Sequence, residues 1–331
     1  MRVNIQNKDL FEKAMNQISP ELSIPRITGI TIDSRKVVRG DIFLALRGES
    51  TDGHKYIDQA EHAGACIAIV EKDVDVSLPM VQVSSTRKFL NDLATAYRKN
   101  LTCPFIGITG TNGKTTTKDL LSHVLSASMK VMSTKGNFNS TIGVPLSIFE
   151  CSEISDVAII EMGANKPGEI EYICNIVQPD MGIITNVYEA HLKYFGDIEE
   201  VVKTKSALFS SLPETGTAFI NKDDAFISKM SVSCNRVEYS FPQSVDYKGE
   251  WSADDLSVII NNIKIKLSAP SEVMGINALA VFSIANHLGM DTQTIKTQIE
   301  SFQTPIGRGD VINIQNIIII NDSYVNMDVN M

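Results

Sequence analysis

Pro104-Phe-Ile-Gly-Ile-Thr-Gly-Thr-Asn-Gly-Lys-Thr-Thr-Thr117 decides the fold. Its apolar start reads as a strand, its centre as a glycine-rich loop, and Thr115 to Met129 as the helix that follows. Gly113, Lys114 and Thr115 form the G-K-T end of a phosphate-binding P-loop. Glycines let backbone N–H groups turn toward phosphate oxygens, Lys114 can reach the β and γ phosphates, and the Thr115 hydroxyl can hold Mg²⁺. The helix aims its positive end at the same anion. The general pattern has four residues between its first glycine and the G-K pair. Here Ile108 takes the place of that glycine and Gly107 lies one residue earlier. A glycine-rich turn that binds nothing is the alternative, but the strand before and the helix after match a phosphate loop.

Strands and helices alternate on both sides of this loop. Helix-like stretches are Asp9 to Gln17, Ile57 to Ala65, Thr86 to Lys99, Lys166 to Val177, Ile198 to Leu212, Ala278 to Gly289 and Thr292 to Phe302. Strand-like runs are Ile27 to Asp33, Asp41 to Leu46, Cys66 to Val70, Val157 to Glu161, Gly182 to Asn186 and residues 218–222, 256–267 and 317–320. Such alternation implies an α/β protein: a small N-terminal α/β unit, then a P-loop unit whose mostly parallel sheet is flanked by helices. The expected boundaries are 1–85, 86–309 and 310–331, with Gly307-Arg308-Gly309 as a hinge before the last piece.

Composition narrows the function classes. The 331 residues are 43% hydrophobic and 21% charged, as in ordinary globular proteins, with a formal net charge of −9. An acidic chain argues against a general nucleic-acid binder. The five cysteines form no C-x-x-C pair and read as reduced thiols of a cytoplasmic protein. Nothing approaches the roughly 20 apolar residues that span a bilayer, and the N-terminus lacks a signal-peptide core.

Gly107-Ile-Thr-Gly-Thr-Asn-Gly-Lys-Thr-Thr-Thr117 resembles the phosphate loop of the Mur ligases, which carries the extra residue. Further segments resemble that family in the same order: Gly136-Asn-Phe-Asn-Ser-Thr-Ile-Gly-Val-Pro-Leu146, Glu161-Met-Gly-Ala-Asn165, Thr185-Asn-Val-Tyr-Glu-Ala-His-Leu192 and Lys203-Thr-Lys205. Near the front, Asp33-Ser-Arg35, Gly40-Asp41, Leu46-Arg-Gly-Glu49 and Asp52-Gly-His54 resemble its UDP-sugar domain. Within the family, the segments around Asn137 and Glu161 resemble the branch that joins D-alanyl-D-alanine to UDP-N-acetylmuramoyl-tripeptide. The resemblance implies an ATP-dependent ligase of peptidoglycan precursor synthesis that works through an acyl phosphate. A monomer is expected.

The resemblance also implies site roles. Gly110, Thr111, Asn112, Gly113, Lys114, Thr115, Thr116, Asn277, Arg308 and Asp322 fall to ATP, and Thr115, Glu161 and His191 to Mg²⁺. Lys114, His191 and Lys205 are the implied catalytic set. Lys205 lies fourteen residues after His191, where the family carries a CO₂-carbamylated lysine. Lys203 competes with it, and about 200° on a helix separates the two, so one faces the site. Ser34, Arg35 and Arg47 would take the uridine diphosphate end, and Asn137, Asn139 and Thr141 the substrate side. Bland readings stand beside these. Glu161 also suits a helix cap, the three polar residues near 139 suit turns, exposed arginines and lysines are common, and His54 reads as structural.

Two departures are visible. Val273 and Met274 stand where the family usually has a His-Asn pair near the adenine. After Tyr324 the chain reads Val325-Asn-Met-Asp-Val-Asn-Met331, so a third domain is expected to be represented by little more than its first strand. Both features leave a non-catalytic nucleotide and UDP-sugar binding module as the second reading. A folate-extending ligase would not carry the UDP-sugar domain, and a Mur ligase with another amino-acid substrate conflicts with the segment at Glu161.

Overall fold

The computed structural model describes residues 1–20, 27–48, 51–268, 271–304, 310–314 and 317–321. The strands of the first third are β1 (Arg2–Asn4), β2 (Gly29–Thr31), β3 (Ile42–Leu44), β4 (Ile67–Val70) and β5 (Met80–Gln82). Then come β6 (Phe105–Thr109), β7 (Val131–Ser133), β8 (Val157–Glu161), β9 (Met181–Ile184) and β10 (Thr217–Asn221). The last are β11 (Asn235–Ser240), β12 (Tyr247–Ser252), β13 (Ser257–Ile260), β14 (Ile263–Lys266), β15 (Asp310–Ile314) and β16 (Ile317–Asn321). The helices are α1 (Lys8–Ile18), α2 (Ile57–His62), α3 (Thr86–Arg98), α4 (Lys114–Leu125) and α5 (Gly143–Ile148). They continue with α6 (Glu169–Val177), α7 (Leu192–Phe195), α8 (Ile198–Ser210), α9 (Glu272–His287) and α10 (Thr292–Ser301).

The chain forms two compact units. One holds Met1–Phe105, Met132–Ala164 and Gly168–Pro179, and the other Ile106–Val131, Asn165–Pro167 and the chain from Asp180 on. In the first, a five-stranded sheet runs β1-β2-β3-β4-β5, with β1 antiparallel and the rest parallel. Phe43, Ala68 and Val70 of this sheet pack on Ile57 and Ala60 of α2. Elsewhere in the unit α3 lies against α1, α5 and α6. Phe11, Tyr97 and Phe149 meet edge to face there, Phe149 lying 5.3 and 5.4 Å from the other two rings, and all three are buried. Aromatic pairs in such geometry add about 0.5–1.5 kcal/mol beyond the area they bury.

In the second unit the strand order is β14-β13-β12-β11-β10-β9-β6. Pairing is parallel from β6 through β12 and antiparallel at β12-β13-β14. The β6, β9 and β10 runs are buried at every position, which is how strands covered on both faces read. Helix α9 packs against α4, α10 and the strands β10 to β13. It is apolar nearly all round because it is buried nearly all round. Strands β15 and β16 pair antiparallel.

Several boundaries differ from the sequence expectation. Residues 256–267 form two strands rather than one, because Asn261 and Asn262 both take positive φ, 46° and 68°, and turn the chain into a hairpin. The helix expected from Lys166 starts at Glu169, after Gly168 at φ 81°. Helix α9 begins six residues before Ala278, where Ser271 accepts the Met274 N–H at 3.1 Å and caps it.

Candidate active site

Strand β6 carries the chain to Gly110, which has φ 150°. A Cβ there would stand 1.9 Å from Thr185 Oγ1, so no side chain fits. Gly113, at φ 77°, takes the left-handed conformation at the start of α4, where glycine has no steric cost. Between them the loop is tied to the segment after β9. Thr111 N–H donates to Asn186 O at 3.0 Å. Asn112 N–H donates to Asn186 Oδ1 at 2.9 Å, and Asn186 Nδ2 returns a bond to Asn112 O at 3.1 Å. Thr185 Oγ1 donates to Asn112 O at 2.6 Å. Tyr188 N–H donates to Thr111 Oγ1 at 3.0 Å, and that hydroxyl is 3.2 Å from Tyr188 O. Strand β9 therefore ends at Ile184, before the expected Asn186, because the next residues fix the loop.

Two lysines converge on this loop. Lys114 Nζ donates to Gly110 O and Thr111 O, each at 2.8 Å. Lys205 projects from the buried face of α8, and its Nζ donates to the same Gly110 O at 3.0 Å. Burial first, and then the Lys114 charge, push the Lys205 amine down to about 7. Lys203 faces solvent and pairs with Glu200 at 3.4 Å. Thr115 and Thr116 lie in the first turn of α4. Asn277, buried on α9, has its amide oxygen 3.4 Å from where a Gly113 Cβ would stand. His191 takes φ 51°, and its carbonyl accepts the Tyr194 and Phe195 N–H groups of the α7 turn.

A cavity of about 630 Å³ adjoins the loop at Asn112. Tyr188, Phe241, Pro242, Val273 and Ile276 supply its apolar wall. Sequence reasoning passed over Tyr188 and Phe241. Tyr188 sits inside a quoted motif, whereas Phe241 carries no local signal.

Apart from Arg308 and Asp322, the remaining expected site residues lie in the first unit. Glu161 ends β8 at 1% exposure. Its Oε1 accepts Asn139 Nδ2 at 2.8 Å, and its N–H donates to Thr134 Oγ1 at 3.1 Å. Asn137 is exposed, and Thr141 Oγ1 accepts from Arg87 at 3.3 Å. A second cavity, of about 520 Å³, is lined by Ser34, Arg35 and Arg47 together with Tyr56 and Ile142. Ser34 Oγ donates to Gln59, Arg35 pairs with Asp33 at 2.9 Å, and Arg47 lies 3.4 Å from Glu71. His54 is buried, with Nδ1 2.6 Å from Asp52 Oδ1 and Nε2 accepting the Glu71 N–H at 2.8 Å. Arg308 and Asp322 lie outside the described residues.

A buried strand, a glycine-rich loop, a helix and a lysine on the loop define a P-loop nucleotide-binding protein. The model of the Mur ligase middle domain matches residues 108–285, and that of the Mur ligase family catalytic domain matches residues 26–104. The chain belongs to the Mur ligase family. It is 30% identical over 311 residues to the UDP-N-acetylmuramoyl-tripeptide--D-alanyl-D-alanine ligase of Escherichia coli (strain K12), covering 90% of this chain and 69% of that protein. It is 33% identical over 306 residues to the protein of the same name from Synechocystis sp., covering 90% and 66%. The crystal structure of MurF from Acinetobacter baumannii matches with a TM-score of 0.85 at 29% identity, over 97% of this chain and 73% of that one. MurF ligase from Thermotoga maritima in complex with ADP matches at 0.79 and 29% identity, over 88% and 70%. Mur ligases are ATP-dependent amide-bond-forming enzymes, and this chain is one of them. Among the described residues no helix is long and apolar enough to cross a membrane.

Proposed function

We propose that this chain joins D-alanyl-D-alanine to UDP-N-acetylmuramoyl-tripeptide, with ATP converted to ADP and phosphate, in peptidoglycan precursor synthesis. The observation that carries this reading is the convergence of Lys114 and Lys205 on Gly110 O in a phosphate loop held by Thr185, Asn186 and Tyr188. In the reaction the tripeptide carboxylate attacks the γ-phosphorus, ADP leaves, and an acyl phosphate forms. The amine of D-alanyl-D-alanine then attacks the acyl carbon and phosphate leaves. The first step brings two anions together, so fixed positive charge and backbone N–H groups lower its barrier. Lys114 is the cation we assign to the β and γ phosphates.

Thr115 Oγ1 and the Glu161 carboxylate are hard oxygen donors of the kind Mg²⁺ takes, and we assign the metal to them with His191. When bound, that ion would offset the phosphate charge. Lys205 is assigned as a carbamate: its neutral amine adds to CO₂, loses a proton, and becomes an anion. Its lowered proton affinity supports this, since the neutral amine is the reactive form. Asn277 is assigned to the nucleotide, with Arg308 and Asp322 from outside the described residues. Ser34, Arg35 and Arg47 are assigned to the uridine diphosphate, because arginine forks suit phosphate oxygens and all three residues line one cavity. Asn137, Asn139 and Thr141 are assigned to the substrate side. We assign residues 1–85 to the UDP-substrate domain, 86–309 to the ATP domain and 310–331 to the start of a third, in a monomeric cytoplasmic enzyme.

The test mixes the chain with ATP, Mg²⁺, UDP-N-acetylmuramoyl-tripeptide and D-alanyl-D-alanine, and follows phosphate release and product mass. Pentapeptide product from the native chain and none from Lys114→Ala is the expected result. Binding of nucleotide and UDP-substrate without product would instead favour the binding-module reading.

A further inference from the structure

Asp224 is a buried acid that the phosphate and metal roles do not use. It follows β10, and both of its carboxylate oxygens are spent on backbone N–H groups. Oδ1 accepts Phe226 and Ile227 N–H, each at 2.9 Å, and shapes the turn after the strand. Oδ2 accepts Val187 N–H at 2.8 Å, 37 residues earlier in the chain. Burying a carboxylate costs free energy that such bonds must offset, and a turn of this kind needs only one oxygen. The bond to Val187 is the part that local structure leaves unexplained.

Val187 sits between the two residues that grip the phosphate loop. Asn186 O accepts Thr111 N–H at 3.0 Å, Asn186 Oδ1 accepts Asn112 N–H at 2.9 Å, and Tyr188 N–H donates to Thr111 Oγ1 at 3.0 Å. The Asn186–Val187 peptide is trans, so its C=O and N–H point to opposite sides of one rigid plane. On one side the C=O holds Thr111, and on the other the N–H is held by Asp224. Turning this plane breaks both bonds at once. Asn221 braces the residue before it, donating to Thr185 O at 3.3 Å.

We propose that Asp224 is a positioning residue for phosphoryl transfer: it locks the Asn186–Val187 peptide in the orientation that fixes Thr111 and Asn112, and so sets the shape of the phosphate loop. The inference rests on the ATP-site reading above and deepens it. The charge of Asp224 works in the opposite sense to its bonds. A carboxylate repels a bound phosphate, so removing the charge by itself strengthens anion binding. Asp224→Asn separates the two effects. Its one amide oxygen can serve the turn or Val187, not both. When it serves the two N–H groups of the turn, its NH₂ faces the Val187 N–H, donor against donor.

The test is calorimetric titration of the whole chain, of Asp224→Asn and of His54→Ala with ADP and with pyrophosphate, which probes the phosphate loop alone. Asp224→Asn should weaken both ligands by about tenfold and by the same factor, because the loop itself has changed. His54→Ala, altered far from the loop in sequence and in the other unit, should lose stability and keep both affinities. Unchanged or tighter pyrophosphate binding by Asp224→Asn overturns the proposal, since the charge then outweighs the bond. A loss confined to ADP overturns it too, because Asp224 then serves the rest of the nucleotide through the cavity it lines. An equal loss in His54→Ala marks general loosening and also overturns it. Should Asp224→Asn not fold, hydrogen exchange on the native chain decides. Pyrophosphate should slow exchange at the Val187 and Thr111 amides together, and slowing at Thr111 without Val187 overturns the proposal. Failure of both ADP and pyrophosphate to bind the native chain overturns the ATP-site reading and this inference with it.

Discussion

Lys114 and Lys205 donate to one acceptor, the carbonyl oxygen of Gly110, at 2.8 and 3.0 Å. Two like charges held to one oxygen raise each other's cost of ionisation. Lys114 donates to a second carbonyl as well, on Thr111. Burial first, and then the Lys114 charge, lower the proton affinity of Lys205 to about 7, so its amine is poised near neutrality.

Such an amine should react with CO₂. Adding ¹³C-bicarbonate to the native chain at pH 8 should give a carbamate carbon signal. Lys205→Ala should abolish it, whereas Lys203→Ala should not, because Lys203 is solvated and paired with Glu200. A signal that survives Lys205→Ala would place the modification elsewhere.

The same amine makes stability depend on pH. Its proton affinity is lower in the folded chain, near 7, than in the unfolded chain, where a lysine keeps its ordinary value of 10.5. Between those values the unfolded state binds more protons, so stability rises with pH across that window. Replacing Lys205 with Met removes this liability. Lys205→Met should therefore be more stable than the native chain at pH 7, by as much as about 4 kcal/mol. The gain should shrink steadily toward pH 10. Urea unfolding at pH 7 and pH 9.5 reads the difference.

The strand, the loop and the helix of the nucleotide site were legible in the sequence because each has a local signature. Gly113-Lys114-Thr115 sits between a buried strand and a helix, and the apolar runs at Val157 and Thr217 read as strands covered on both faces. Helical phase says only that one of Lys203 and Lys205 faces the site, since positions two apart point in nearly opposite directions, and the family spacing after His191 is what singles out Lys205. What stayed hidden depends on tertiary contact. The end of β9 at Ile184 reflects hydrogen bonds from Thr185 and Asn186 to a loop some 70 residues earlier. Helix α9 extends back through Val273 and Gly275, and a Cβ on Gly275 would lie 3.1 Å from Trp251. No local rule announces that packing. The cavity beside Asn112 draws Tyr188, Phe241 and Val273 from three separate segments, so it exists only in the fold.

Gly110 tests how rigid the phosphate loop must be. An added methyl would meet Thr185 Oγ1 at 1.9 Å and the Thr185 N at 3.1 Å, at a φ that side chains rarely adopt. Gly110→Ala should cost more than about 2 kcal/mol of stability. It should also weaken ADP binding at least tenfold, because the loop can relieve the clash only by leaving Thr185. Adding Thr185→Ala should restore part of the stability, since the hydroxyl contact goes, but not the binding, since the bond to Asn112 O goes with it. Thermal melting and calorimetry on the two variants separate these effects.

His54 should behave in the opposite way, as a residue of the scaffold. Its Nε2 accepts the Glu71 N–H, so the ring proton sits on Nδ1 and is donated to Asp52. The His54 backbone N–H and then its ring hold the Asp52 carboxyl well below the usual carboxylate range. A carboxylate with a depressed pKa contributes stability above its ordinary value and loses it as pH falls below about 4. His54→Ala strands the Glu71 N–H and opens a cavity, and should cost about 2–4 kcal/mol at pH 7. Its loss of stability on acidification should be somewhat shallower than that of the native chain, because Asp52 keeps the bond from the residue-54 backbone N–H but loses the one from the ring. ADP affinity, measured on the folded variant, should stay within twofold of native. A larger drop would mean that His54 contributes to nucleotide binding as well as to the scaffold.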